Sequence, residues 1–414
     1  MRVLWFSITP GLLGKDPNNA GGWIESLERI VMKRTDVDLG VVFEAKSSGY
    51  GFSVLQDGVK YYPINITRNK KQKRIDKYTY KEIDPLILNE CKKIILDFNP
   101  DIIHIFGSEW CYGLLYKYTK IPIIIHMQGS WPPYRNAIYP PGFSREDFIL
   151  KNILQPRKLF HFFRSEHLSK ERALREEEIL SNTKYFFGRT RWDKALVSLY
   201  SPNAKYFYCS EALRLSFIEH NIRWSLKNRG IMSLVTTCGG HSLKGLDTIL
   251  KTAKLLVERF SGPFCWRLLG PTVANMEIYE KKIGITCASV NVLPMGNQNE
   301  SVVKETLVDS DIYVHTAYID NSPNAVCEAQ YIGMPVISTN VGGVSSLFSK
   351  RYDEDFLVPA NDPYFMASSI ISLFADKKKM LELATDNYNF ARERHDCGNI
   401  EKDLFYAYNS ILKE

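Results

Sequence analysis

"IMSLVTTC", residues 231–238, decides how this chain is divided. It is a short β-rich run that stops at a Cys-Gly-Gly turn, and it opens the second of two similar series. Behind it lie the runs 3–8, 39–43, 102–106, 122–126, 185–188 and 206–209; ahead lie 264–270, 290–296, 312–317, 335–339 and 356–359. Each is bounded by Gly, Pro or Asp and followed by a longer mixed segment, the alternation expected of βαβ units with buried parallel strands. Because the pattern restarts at 231, residues 1–210 are expected to form one doubly wound α/β domain and 211–388 a second, divided within about 210–230. A chain of 414 residues is also too long for one ordinary core.

Composition narrows the class. With 45% hydrophobic and 24% charged residues the chain reads as an ordinary soluble globular protein. The net charge of +7 suits phosphate-bearing ligands or an anionic membrane surface and demands neither; no nucleic-acid partner is expected. Cysteines at 91, 111, 209, 238, 265, 287, 327 and 397 form no CxxC pair and no metal-ligand spacing, which reads as reduced thiols in a cytoplasmic protein. The start, "MRVLWFSITPGLLGK", is read as a first buried strand instead of a signal peptide. No apolar stretch approaches the length of a spanning helix, so membrane contact would be peripheral, at the inner face.

In doubly wound sheets ligands sit at the carboxyl ends of strands, and that rule selects four stretches. In "NNAGGWIESL", Gly21 and Gly22 precede a helical pattern, so backbone N–H groups can approach an anion at a helix start. It is not a GxGxxG. In "PIIIHMQGSW", His126 ends a strand, either well placed for substrate or an ordinary loop histidine. In "TTCGGHSLKGLDTIL", Gly239, Gly240 and Gly245 surround His241 and Lys244 just before a helix marked by Leu246, Ile249, Leu250 and Ala253. A lysine beside glycine-rich backbone suits phosphate, without the spacing of a Walker A loop. In "YIDNSPNAVCEAQYIGMPVIST", Asp320 is expected in a loop and Ser322 to Val326 at a helix start, with Glu328 inside its first turns. Free N–H groups at Asn324, Ala325 and Val326 could bind a phosphate or sugar oxygen, and each carboxylate a pair of hydroxyls. Glu328 would also suit the helix dipole with no ligand.

The order "GGW", "DIIHIFG", "PIIIHMQG", "KGLDTILKTAKLL", then Asp-x7-Glu with "GMPVISTNVGG", resembles the retaining glycosyltransferases of family 4, across almost the whole chain. "FFGRTRWDKA" and "CSEALRLSFIE" are similar to a subgroup found in bacterial surface-polysaccharide synthesis. The resemblance implies the GT-B fold: two Rossmann-like domains facing across a cleft, the C-terminal one holding a UDP- or GDP-linked sugar, with no further cofactor. It implies Lys244 on the diphosphate, Glu328 on the ribose, Asp320 on the transferred sugar and His126 on the reacting sugar. It also implies that a last helix, about 389–414, returns to the N-terminal domain.

Two departures stand out. Asp320 replaces the usual Glu, and Gly239 stands where an arginine is common; Arg189, Arg191 or His241 are candidate substitutes on the diphosphate. Two Asp-x-Asp triplets, at 36–38 and 309–311, precede strands instead of following them, so no metal site is expected. The basic run 68–77 reads as a solvated loop or a contact with anionic lipid, and 148–168 as a segment buried on the N-terminal sheet or an amphipathic acceptor or membrane face. The expected function is metal-independent retaining transfer from a nucleotide-sugar to a saccharide, lipid-linked acceptor. A nucleotide-sugar 2-epimerase and a catalytically weakened saccharide-binding partner are the alternatives.

Overall fold

The computed structural model describes residues 1–14, 22–45, 51–78, 83–219, 222–350 and 354–414. Gly21 lies outside them. The chain forms two units, Met1–Arg135 with Phe160–Ser216 and His395–Glu414, and Asn136–Leu159 with Phe217–Arg394.

The first unit holds β1 (Arg2–Phe6), β2 (Asp38–Glu44), β3 (Val54–Gln56), β4 (Val59–Ile64), β5 (Ile102–Phe106), β6 (Ile123–His126), β7 (Tyr185–Gly188) and β8 (Lys205–Tyr208). Their order is β3-β4-β2-β1-β5-β6-β7-β8, parallel except for the β3–β4 hairpin. The second holds β9 (Met232–Thr237), β10 (Phe264–Leu269), β11 (Val292–Gly296), β12 (Ile312–His315), β13 (Val336–Thr339) and β14 (Leu357–Val358), ordered β11-β10-β9-β12-β13-β14 and wholly parallel. Every expected strand forms, and in most of them a β-rich run is buried on both faces and has no competing helical stripe.

The β3–β4 hairpin was not expected. It turns on Asp57 and Gly58, both at positive φ (50° and 82°), the two-residue Asp-Gly geometry whose twist matches antiparallel strands. Pro63 hides β4 in the sequence, since proline removes a ladder donor. It is tolerated because β3 pairs only as far as Tyr61, leaving Pro63 without a neighbour on that side among the described residues.

Strand order reverses at β1 in the first sheet and at β9 in the second, so the loops after β1 and β5, and after β9 and β12, diverge and open a crevice. Helix Leu246–Arg259 covers β9 with Leu246, Ile249, Leu250, Ala253 and Leu256, all fully buried at helical spacing. Each large side chain so buried contributes about 1.5–3 kcal/mol. The run 70–78 is helix Lys70–Tyr78, not a loop: the Asn69 side chain accepts Gln72 N–H (2.8 Å), and Asp76 takes Arg68 (2.6 Å) and Gln72 (2.7 Å). The segment 148–168 divides between helices Arg145–Asn152 and Pro156–Asn182, with Leu150, Ile153 and Leu154 exposed. No helix among the described residues is long and apolar enough to cross a membrane.

The last helix, Cys397–Leu412, buries Ile400, Leu404, Tyr408 and Ile411 in the core of the first unit beside Trp5 and Phe106. The Tyr408 hydroxyl accepts from Trp5 Nε1 (3.1 Å) and lies 2.6 Å from His104 Nδ1. With one proton and two lone pairs, the hydroxyl can serve both partners at once. Tyr408→Phe leaves two buried groups unpaired and is expected to cost roughly 2–4 kcal/mol, at about 1–3 kcal/mol per group. Tyr406→Phe, on the exposed side of the same helix, should stay within about 0.5 kcal/mol of the unmodified protein. Urea unfolding followed by tryptophan fluorescence checks both.

Candidate functional site

The second unit's crevice is built from three loops. Leaving β9, the chain passes Cys238 to His241, makes a single turn at Ser242–Lys244, and enters helix Leu246–Arg259 through Gly245. Gly245 has φ +67°, and a Cβ there would lie 1.9 Å from Thr316 O, so only glycine permits the approach. Thr316 Oγ1 donates to Lys244 O (2.8 Å), and Tyr318 N to Leu243 O (2.8 Å). The loops after β9 and β12 are thereby joined, and the Lys244 side chain is turned onto Asp320. The third loop closes in the same way: a Cβ on Gly342, at φ +52°, would lie 2.0 Å from Asp320 O, and Gly343 N donates to that oxygen (2.9 Å).

Lys244 Nζ is 2.5 Å from Asp320 Oδ2, and Asn321 N donates to Oδ1 (3.1 Å). His315 Nε2 stands 3.3 Å from the same Oδ2, while its Nδ1 is 2.8 Å from Ser338 Oγ. The Ser338 hydroxyl also lies 3.1 Å from Thr339 O, and its contact with Nδ1 fixes the orientation of the ring. Burial alone would raise the Asp320 carboxyl, but the Lys244 ammonium, helped by His315, holds it well below the usual carboxylate range. Burial would lower the Lys244 ammonium, and Asp320 reverses this and raises it. The pair is therefore ionised at neutral pH.

Helix Asn324–Tyr331 follows, with Pro323 at its N-cap. The N–H groups of Asn324 and Ala325 have no partner among the described residues. Val326 differs from expectation: its N–H bonds Pro323 O (2.9 Å), because the first turn tightens on that carbonyl. Glu328 lies in the second turn and is 4% exposed; Ser322, 7% exposed, has its Oγ 3.9 Å from Cys327 Sγ. Gly240 faces Asn275, where a Cβ would meet Cγ at 2.5 Å, and His241 is exposed at the loop's tip. Ser242 Oγ donates to Ile138 O (2.7 Å), so the stretch 136–159 packs on this loop within the same unit.

The remaining candidates lie in the first unit. Gly22 caps helix Trp23–Met32 in extended backbone that any residue adopts. His126 ends β6 as expected, but it is fully buried and neither ring nitrogen has a hydrogen-bond partner among the described residues. Its ring stacks on His104 (5.4 Å) and meets Trp23 edge-on (5.0 Å), so as placed it faces aromatic rings and not solvent. Burial, then the nearby Arg189 cation, pushes its pKa down to about 3. Arg189 is itself buried, 3.7 Å from Glu211, with Nη2 donating to Gln128 O (3.3 Å). Arg191 is exposed in the first turn of helix Arg191–Tyr200.

Sequence reasoning missed His315. It ends β12 as His126 ends β6, so the same strand-end rule would have found it. It also missed Glu176, which takes Ser108 Oγ (2.5 Å) and Trp131 N (2.6 Å). Burial and the neighbouring Glu109 carboxyl raise its pKa to about 8. Both Asp-x-Asp triplets have structural work. Asp36 pairs with Arg34 (2.6 Å), Asp309 with Arg229 and Arg267, and Asp311 accepts Ser233 N (2.8 Å).

Residues 233–376, which contain this whole crevice, match the family described as glycosyl transferases group 1. A Bacillus subtilis (strain 168) protein proposed to be a teichuronic acid biosynthesis glycosyltransferase, TuaC, is 32% identical over 111 residues. That match covers 27% of this chain and 28% of TuaC. Among solved structures, sucrose-phosphate synthase from Thermosynechococcus elongatus has a TM-score of 0.72 at 13% identity, covering 100% of this chain and 99% of that one. Anabaena HepE in complex with UDP and glucose has a TM-score of 0.64 at 11% identity, over 99% and 100% of the two chains. Trehalose-6-phosphate synthase of E. coli, bound with UDP-2-fluoro glucose, has a TM-score of 0.65 at 11% identity, over 100% and 99%. At such identities the likeness is one of fold, and the fold is GT-B.

Asp320→Asn tests the electrostatics. It strands the Lys244 ammonium and is expected to cost roughly 1–3 kcal/mol, less than the 3–5 of a fully buried pair because 27% of the lysine side chain stays exposed. The folded carboxyl titrates below its unfolded value of about 3.9, so the pair's contribution is complete at neutral pH and declines only as pH falls towards the folded value. The stability gap between unmodified and variant protein should be constant from about pH 6 to 8 and narrow below about pH 4. Denaturant unfolding at pH 7 and pH 3 measures it.

Proposed function

We propose that this protein is a metal-independent retaining glycosyltransferase. It moves a sugar from a UDP- or GDP-linked donor to a saccharide carried on a lipid, in cell-surface polysaccharide synthesis at the cytoplasmic face of the membrane. The observation that carries this reading is the Lys244–Asp320 pair at the reversal of strand order, beside the N–H groups of Asn324 and Ala325. The group 1 match over 233–376, the complex of HepE with UDP and glucose and the E. coli complex with UDP-2-fluoro glucose support it.

In this mechanism Lys244 takes the diphosphate with the helix-start N–H groups, and stabilises the charge that grows on it as the glycosidic bond breaks. Glu328, in the second turn of the same helix, takes the ribose hydroxyls. Asp320, held by Lys244, His315 and Asn321 N, presents its carboxylate to the sugar, where positive charge develops. Attack from the face of the departing phosphate keeps the anomeric configuration and needs no covalent nucleophile. Metal independence is part of the proposal, since Asp36, Asp309 and Asp311 already have arginine or backbone partners.

The test is release of nucleoside diphosphate from a panel of UDP- and GDP-sugars, with and without a lipid-linked saccharide. Acceptor-dependent release supports transfer. Conversion of the donor sugar without acceptor would make the protein an epimerase, and binding without turnover would make it a saccharide-binding partner. Glu328→Gln is expected to raise donor KM about tenfold or more with kcat little changed, the loss of one hydrogen bond to a charged group. Asp320→Asn should lower kcat more than it raises KM. Steady-state kinetics on folded variants distinguish the two roles.

A further inference from the structure

The first unit contains a basic cavity that the site above does not use. It has a volume of about 270 Å³, just below the usual range for small-molecule sites and ample for a phosphate group. Its cations are Arg68, Lys73 and Lys77, from helix Lys70–Tyr78 and the turn before it, and Arg164, Arg172 and Arg175 from helix Pro156–Asn182. Arg164, Arg172 and Arg175 are spaced by eight and three residues, which puts them on one face of their helix. Three carboxylates stand among these cations: Asp76 is taken by Arg68 (2.6 Å), Asp84 by Arg175 (2.5 Å), and the third is Glu44.

Six like charges are not gathered around a cavity without cost. Arg68 and Arg175 are held rigidly by their carboxylates, and Arg175 also donates to Glu109 O (2.7 Å). Lys73, Lys77 and Arg164 make no ion pair among the described residues, and Arg164 Nε is buried without an acceptor. Glu44 ends β2, Arg68 follows β4 and Trp110 follows β5, so the cavity opens at the carboxyl edge of the sheet, where doubly wound folds place their ligands. Planar guanidinium groups in a fixed frame, with mobile ammonium groups beside them, suit the oxygens of a phosphate.

We infer that this cavity binds a phosphate or diphosphate ester. In a transferase this would be the phosphate of the acceptor, an assignment that rests on the function proposed above. The binding itself does not. The ester could be a soluble sugar phosphate or the head of a lipid; both offer the same oxygens to the same cations.

Calorimetry with inorganic pyrophosphate, on the full chain at low salt, tests it in the Lys244→Ala background, which removes the crevice's own cation. Pyrophosphate should still bind there, and adding Lys73→Ala with Arg164→Ala should weaken that binding at least tenfold. Thermal melts establish that the variants are folded, and Lys73→Gln with Arg164→Gln serves if the alanine pair is not. Sedimentation with phosphatidic acid/phosphatidylcholine vesicles identifies the source. Vesicle binding that pyrophosphate competes away and that the paired variant loses indicates a lipid phosphate; pyrophosphate binding without vesicle binding indicates a soluble ester. The inference is overturned if neither probe binds Lys244→Ala protein, or if the paired variant binds as tightly as its parent. Absence of glycosyl transfer by the unmodified protein, with pyrophosphate binding to the Lys244→Ala protein intact, would count against the proposed function and leave the cavity's assignment standing.

Discussion

An ammonium and a carboxylate held 2.5 Å apart, mostly out of water, set the terms for the loops around them. Removing such charges from solvent costs several kcal/mol per ion, and mutual attraction offsets this only with good geometry and further hydrogen bonds. The second unit supplies both. Its strand order reverses at β9, which opens the crevice, and the loops leaving β9, β12 and β13 are drawn together over it. Gly245 and Gly342 permit backbone approaches that a side chain would block, and Thr316, Asn321, His315 and Ser338 supply the bonds. The same pair that costs stability to bury is thus ready to meet a diphosphate and a sugar without rearranging its surroundings, which is what makes electrostatic catalysis effective.

Much of this was legible in the sequence, for a definite reason. A parallel strand covered on both faces must be a continuous β-rich run, so the series before and after 231 could be read directly. Lys244 and Asp320 were legible as polar residues in loops after strand ends, and Glu328 as a carboxylate in the helix that follows. Their pairing was not: Lys244 and Asp320 are 76 residues apart, and no local pattern encodes the meeting. His315 was overlooked at the end of its strand, where the rule that selected His126 applies equally. His126 was correctly placed at its strand's end, but the rings of His104, Trp23 and Phe187 around it come from three other elements.

Local errors had local causes. The free N–H expected at Val326 is consumed because Pro323 offers its carbonyl to the first turn. The β3–β4 hairpin was masked by Pro63, although Asp57-Gly58 is a recognisable turn signal. The basic run 68–77 looked aperiodic by hydrophobicity, yet it forms a helix because Asp76 ties Arg68 and Gln72 together. Charge pairing supplied the order that apolar spacing could not.

The first unit is assembled from three separated pieces of chain, the last of them His395–Glu414. During synthesis, Trp5 emerges from the ribosome long before Tyr408, its hydrogen-bond partner 403 residues later. At elongation rates of about 5–20 residues per second, that interval is roughly 20–80 s. Through it, the apolar surface destined for the last helix lacks its cover, whereas the stretch Phe217–Arg394 has already been made. The first domain to begin synthesis is therefore the last that can finish folding. A nascent chain stalled before 395 would present that bare surface to chaperones and proteases, so emergence of His395–Glu414 acts as a checkpoint on the unit that holds Trp5.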